Sequence, residues 1–282
     1  MVTFNGVNVV QGRFPNNEVD YTSESMLMRT CRKPFEFPYW SVFKVVFENN
    51  EDLFNLQVVK KWCDEAFPNH WTKLEIDFFP YGQMDRDTGS HLFSLKYVAE
   101  IINSLKFTHV EICDPHSNVL PALLKNCHVK YPVKSFLKAE TYHTEDGKIP
   151  YDLMFYPDNG AAKKYAEIIN FPYRFGNKKR DLKTGEIICY EVIAEEEDIK
   201  DKRILIIDDI CAGGRTFREA ASALRKMGAA QIDLYITHMM PQSKSFYESK
   251  ADGLIDNIYT IDSLNIFNTR KEEVITVTFE DL

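Results

Sequence analysis

Four aliphatic residues in succession, Ile204-Leu205-Ile206-Ile207, run directly into Asp208 and Asp209 and constrain the fold more than any other stretch. A half-buried strand alternates apolar and polar residues, whereas an unbroken apolar run bounded by turn signals reads as a buried strand. Beyond the acids comes a glycine-rich turn, Ile210-Cys211-Ala212-Gly213-Gly214-Arg215-Thr216. Phe217, Ala220, Ala221, Leu224 and Met227 then recur at helical spacing. The pattern predicts a strand ending in the two acids, a tight loop, and a helix whose first turn begins near Thr216. Thr216 with Glu219 three positions on predicts a capping box. A loop just ahead of a helix start offers backbone N–H groups and the positive end of the helix dipole, which together suit a phosphate. Carboxylates at a strand's C-terminal edge suit vicinal hydroxyls or a metal, so a ribose bearing a 5′-phosphate meets both needs.

Strand-like and helix-like stretches alternate along the chain, which favours an α/β fold with mainly parallel sheets. In the first half, Val42–Phe47, Lys73–Phe79 and Thr108–Cys113 read as strands, with Glu51–Phe67 and Ser94–Leu105 as helices, the latter with Leu95, Val98, Ala99 and Ile102 on one face. In the second, Asp152–Tyr156, Glu186–Ala194, Gln231–Thr237, Asn257–Ile261 and Val274–Phe279 read as strands and Ala161–Ile169 as a helix. Two comparable halves follow, 1–138 and 139–282, with no low-complexity linker between them.

Several function classes recede on composition. A net charge of −8 argues against a nucleic-acid partner. No apolar run approaches the ~20 residues that span a bilayer, and Met1–Gly6 shows no secretory pattern. The six cysteines lack short paired spacings, so reduced thiols in a cytoplasmic protein are expected rather than zinc or disulfides.

The segment from Asp208 to Thr216 resembles the phosphoribosyl-diphosphate-binding loop of type I phosphoribosyltransferases and ribose-phosphate pyrophosphokinases. The family usually carries Thr or Ser where Gly213 stands, and Gly where Arg215 stands. Four further stretches follow in the family's order. Gly12–Val19 resembles the ATP-adenine loop, with Phe14 stacking and Asn16 and Glu18 bonding the base; the family has an acid at Asn16. Pro80–Arg86 resembles a segment ending Arg-Gln-Asp-Arg, of which this chain keeps Asp85 and Arg86 and has Gln83 and Met84 instead. Asp114-Pro115-His116 places His116 as a ligand of the Mg²⁺ carried by ATP, and Asp158 is implied to hold metal or ribose hydroxyls. Asn177–Arg180 resembles a mobile catalytic loop, in which Lys178 and Arg180 neutralise charge on the transferred diphosphate.

The resemblance implies two phosphoribosyltransferase-like domains, a homo-oligomer, and Mg-dependent transfer of the β,γ-diphosphate of ATP to an anomeric hydroxyl. It also implies a trimmed first strand and a missing last helix. The residues implied to hold the ribose phosphate are Asp158, Asp208, Asp209, Cys211, Ala212, Gly213, Gly214, Arg215 and Thr216. Gly213 opens space and Arg215 adds a cation for a second phosphate, so the expected acceptor is ADP-ribose, as in phage-type relatives that rebuild NAD⁺ with a nicotinamide-transferring partner. For a phage-encoded chain the setting is the host cytoplasm. Ribose 5-phosphate is the alternative acceptor; a phosphoribosyltransferase and a non-catalytic nucleotide sensor are the alternative classes.

Overall fold

A computed structural model describes residues 1–21, 40–68, 70–180, 187–264 and 275–276, with backbone alone at 179–180, 187–189 and 275–276. The chain forms two compact units, Met1–Lys130 and Tyr131–Leu282. The division precedes the expected 138/139 boundary because helix α4 (Pro132–Thr141) buries Val133, Phe136 and Leu137 in the core of the second unit. No described helix is long and apolar enough to cross a membrane. Cys63, Cys113, Cys127 and Cys211 are free thiols; Cys31 and the Cys189 side chain lie outside the described residues.

The first unit opens with β1 (Val2–Phe4) and β2 (Val7–Asn8), then a separate ribbon of β3 (Val10–Arg13) and β4 (Val19–Tyr21). Strands β5 (Trp40–Val45), β6 (Trp71–Ile76), β7 (His109–Cys113) and β8 (Cys127–Lys130) follow in parallel. With β1 antiparallel to β5, the sheet order is β2-β1-β5-β6-β7-β8. Helices α1 (Glu51–Ala66) and α2 (Ser94–Ser104) bury Leu56, Val59 and Cys63, and Leu95, Val98, Ala99 and Ile102, in one core with Phe43, Leu74, Ile76 and Val110. A short α3 (Val119–Leu123) follows β7. The helical spacing anticipated the buried face of α2 residue by residue.

In the second unit, β9 (Leu153–Tyr156), β10 (Tyr173–Arg180), β11 (Ile187–Ile193), β12 (Arg203–Cys211), β13 (Gln231–Met239), β14 (Asn257–Thr260) and β15 (Ile275–Thr276) form one sheet. Its order is β11-β10-β9-β12-β13-β14-β15, parallel except for the β10–β11 pair. The aliphatic run lies at its centre. Ile204 and Ile206 face one core, with α7 (Arg215–Lys226), whereas Leu205 and Ile207 face the other, with α4 and α5 (Asn159–Ile169). All four are fully buried. Each such side chain stabilises the fold by roughly 1.5–3 kcal/mol, enough together to offset the acids that follow. Short helices α6 (Glu196–Ile199), α8 (Lys244–Glu248) and α9 (Lys250–Gly253) complete the unit.

Three local expectations need correction. Strand β12 does not end at the acids; Asp208, Ile210 and Cys211 still pair with Ile236, His238 and Met239 of the equally long β13. Helix α7 begins at Arg215 behind an N-cap Gly214 without a side-chain cap, so Thr216 is inside the helix and forms no capping box. Glu219 bonds Arg215 instead, Nε to Oε1 at 2.9 Å. Lys178 and Arg180 stand in strand β10 rather than in a loop; residues 181–186 and the Arg180 side chain lie outside the described residues.

Candidate active site

The C-terminal ends of β9 and β12 bring the carboxylates of the second unit together. Asp158, just beyond β9, caps α5 by accepting from the Ala161 N–H at 3.0 Å. Its other oxygen accepts from Lys178 Nζ at 2.9 Å. Burial alone would raise the Asp158 carboxyl, but the Ala161 N–H and the Lys178 ammonium hold it below the usual range. On β12 the Asp209 N–H donates to Asp208 Oδ1 at 3.0 Å. Asp208 sits well above the usual carboxylate range, first through burial, then through the charges of Asp209 and Asp158. Asp209 is buried, 4.0 Å from Lys164 Nζ on α5.

The turn after β12 divides into structural and presenting residues. The Cys211 side chain is buried, bonded to Ser243 and the Gly214 N–H, and burial pushes its thiol up to about 12, so it offers backbone only. Gly214 has φ +75°, and a Cβ there would lie 2.1 Å from the Phe246 ring; no other residue fits. Ala212 and Gly213 are exposed, and nothing lies within 4 Å of a Cβ placed on Gly213. The first helical bond of α7 runs from the Arg218 N–H to the Gly214 carbonyl, 3.0 Å. The N–H groups of the preceding turn therefore face the loop, a ready anion cradle. Arg215 is 61% exposed and tied to Glu219.

In the first unit, Phe14, Asn16 and Glu18 occupy the tip of the β3–β4 ribbon. The Phe14 N–H donates to the Glu18 carbonyl at 2.9 Å and the Glu18 N–H to Asn16 Oδ1 at 3.2 Å, leaving the Phe14 ring 52% exposed. Asn16 thus holds the turn with its oxygen. Gln83, Asp85 and Arg86 lie in the turn after β6, and His116 in the one after the neighbouring β7. A Cβ on Gly82 would meet His116 Cβ at 3.6 Å, so these turns abut. Arg86 projects, its side chain 83% exposed, with Asp85 3.9 Å away.

The model of the phosphoribosyl transferase domain family matches residues 161–267. The ribose-phosphate pyrophosphokinase of Saccharolobus solfataricus is 26% identical over 207 residues, 72% of this chain and 67% of that protein. Its counterpart from Pyrococcus abyssi is 26% identical over 218 residues, 74% and 69% of the two chains, and that from Campylobacter jejuni 24% over 223 residues, 76% and 68%. These alignments exceed either unit and so take in parts of both. The chain is similar to the ribose-phosphate pyrophosphokinases over about three quarters of its length, and its second unit matches the phosphoribosyl transferase domain family. The phosphoribosylpyrophosphate synthetase of Mycobacterium smegmatis has the same fold, with a TM-score of 0.71 at 18% identity over 96% of this chain and 87% of that one.

The second unit offers Asp158, Asp208, Asp209 and Glu219 against Lys164, Lys178 and Arg215. The Asp208 carboxyl is raised first by burial and then by the neighbouring acids. All-oxygen carboxylate donors fit Mg²⁺, which takes one or two protein carboxylates beside substrate phosphates and water. Among the described residues no three His, Cys, Asp or Glu gather as a cage. Three site residues escaped the sequence reading. Lys164 follows from its place on the first turns of α5, but Tyr190 and Ser243 carry no local signal.

Proposed function

We propose that this chain is a pyrophosphokinase that moves the β,γ-diphosphate of MgATP to the anomeric hydroxyl of ribose 5-phosphate, giving phosphoribosyl diphosphate and AMP. The carrying observation is the meeting of Asp158, Lys178, Asp208 and Asp209 beside the Cys211–Thr216 anion cradle. In this reading the N–H groups around Ala212–Thr216 bind the 5-phosphate, and Asp208 and Asp209 accept from the ribose hydroxyls. The anomeric oxygen bonds to the β-phosphorus, the bond from that phosphorus to the α-bridging oxygen breaks, and AMP leaves with the electron pair. The hydroxyl proton passes to water. Lys178 and Arg180 would neutralise the growing negative charge, and positioning supplies the rest of the rate. Phe14, Asn16, Glu18, Gln83, Asp85 and Arg86 take the nucleotide. In this reading His116 would take the Mg²⁺ that comes with ATP, Asp158 would take metal or ribose hydroxyls, and the ion would supply charge neutralisation on the phosphates.

Mass spectrometry of products from MgATP with ribose 5-phosphate and with ADP-ribose, run in parallel, tests this. Phosphoribosyl diphosphate plus AMP from the first is expected; no AMP from either acceptor overturns the assignment. A second reading, ADP-ribose as acceptor for NAD⁺ resynthesis alongside a nicotinamide-transferring enzyme, draws on the open space at Gly213 and the exposed Arg215. On that reading Arg215→Gly depresses turnover of ADP-ribose and spares ribose 5-phosphate. A homo-oligomer belongs to the same proposal and is tested by sedimentation of the full chain.

A further inference from the structure

Tyr190 stands directly opposite Lys178 in the antiparallel β10–β11 pair, so both side chains leave the same face. Tyr190 Oη donates to the Pro157 carbonyl at 3.0 Å, while Lys178 Nζ donates to Asp158 Oδ2 at 2.9 Å. One cross-strand pair therefore grips two successive residues of the β9–α5 turn. The ring reaches Pro157 across Gly176, where a Cβ would fall 2.0 Å from Tyr190 Oη and 3.0 Å from the Pro157 carbonyl oxygen. A glycine in the middle of β10 is thus explained by the path of the tyrosine.

We propose that Tyr190 is a positioning residue for Lys178: its hydroxyl fixes the β10–β11 pair against Pro157 and thereby sets the Lys178 ammonium at the carboxylate end of the site. The inference rests on Lys178 serving diphosphate transfer. The phenol stays a neutral donor throughout the working range, since burial, then the charges of Asp158, Asp208 and Glu219, push its ionisation upward. Without the hydroxyl the strand pair keeps its ladder but loses the point that fixes its distance from the turn, and Lys178 alone bridges the gap.

The test uses the full chain as wild type, Tyr190→Phe, Lys178→Ala and the double variant. Tyr190→Phe keeps the ring and is expected to lower kcat about five- to tenfold, with KM for ATP within about twofold. In the Lys178→Ala background the same change is expected to cost under about twofold, because its effect runs through the lysine. An equal loss in both backgrounds, or no loss in the single variant, overturns the proposal. Trace amine labelling read by mass spectrometry supplies a measurement independent of turnover. Tyr190→Phe is expected to raise modification of Lys178 several-fold relative to the exposed Lys163; an unchanged ratio overturns the positioning role. A wild-type chain without diphosphotransfer but with that labelling change sinks the functional reading and leaves the latch standing.

Discussion

Two adjacent glycines of the anion turn have opposite reasons to exist. Gly214 is demanded by a left-handed backbone and by the Phe246 ring beneath it, whereas Gly213 faces open space. Gly214→Ala should cost about 3 kcal/mol in urea unfolding, through backbone strain and overpacking together, while Gly213→Ala should stay within about 0.5 kcal/mol. The two acids upstream of that turn carry opposite pH signatures. Asp208 binds its proton more tightly folded than unfolded, so its contribution is fully favourable below the ordinary carboxylate value near ~4 and declines as pH rises through the raised folded value. Asp158, held low, contributes above the ordinary value and loses its contribution as pH falls through the folded one. Asp208→Asn should therefore melt above wild type at pH 7.5 in metal-free buffer and converge with it near pH ~4, while kcat/KM falls by at least about tenfold. Calorimetry across that range decides it, and a constant offset at every pH would refute the assignment of the cost to Asp208.

At the scale of elements, the β10–β11 pair is fastened to the β9–α5 turn by contacts that only Gly176 permits. Gly176→Ala must displace a ring already bonded to Pro157, and should lower stability by about 2–3 kcal/mol, read from the urea midpoint at unchanged m-value. The same elements show where the sequence is legible. Ile204–Ile207 announced a central strand because both faces are covered, and Leu95, Val98, Ala99 and Ile102 announced a helix face because burial follows the 3.6-residue period. Thr216 and Glu219 looked like a cap because the local pattern is identical; what moves the helix start to Arg215 is Phe246 beneath Gly214, a contact absent from the local window. Lys178 and Arg180 read as loop because the strand there is polar, with the Lys178 ammonium turned toward Asp158 rather than a core. Tyr190 was invisible for the same reason: its role is fixed by its cross-strand partner and by Pro157, 33 positions away.

Over the whole molecule, a chain with a net charge of −8 is proposed to take two polyanionic substrates. Long-range attraction cannot gather them, so local cations and the metal brought with ATP must do so. Asp158 already has the Ala161 N–H and the Lys178 ammonium as partners, which fits that division. A metal bound chiefly through nucleotide phosphates adds nothing to the stability of the ligand-free fold, in contrast to a structural ion whose binding energy is folding energy. Treatment with EDTA should therefore leave the melting temperature within about 1 °C, since a shift of several degrees corresponds to about 1 kcal/mol or more. It should nevertheless abolish AMP release from ATP, and Mg²⁺ added in excess of the chelator should restore it. MgATP should raise the melting temperature where ATP with EDTA raises it less, because only the complex meets the carboxylate end of the site with matching charge. A large EDTA-induced drop in the nucleotide-free protein would instead mean a resident ion that holds the chain together, and would move the metal from substrate to scaffold.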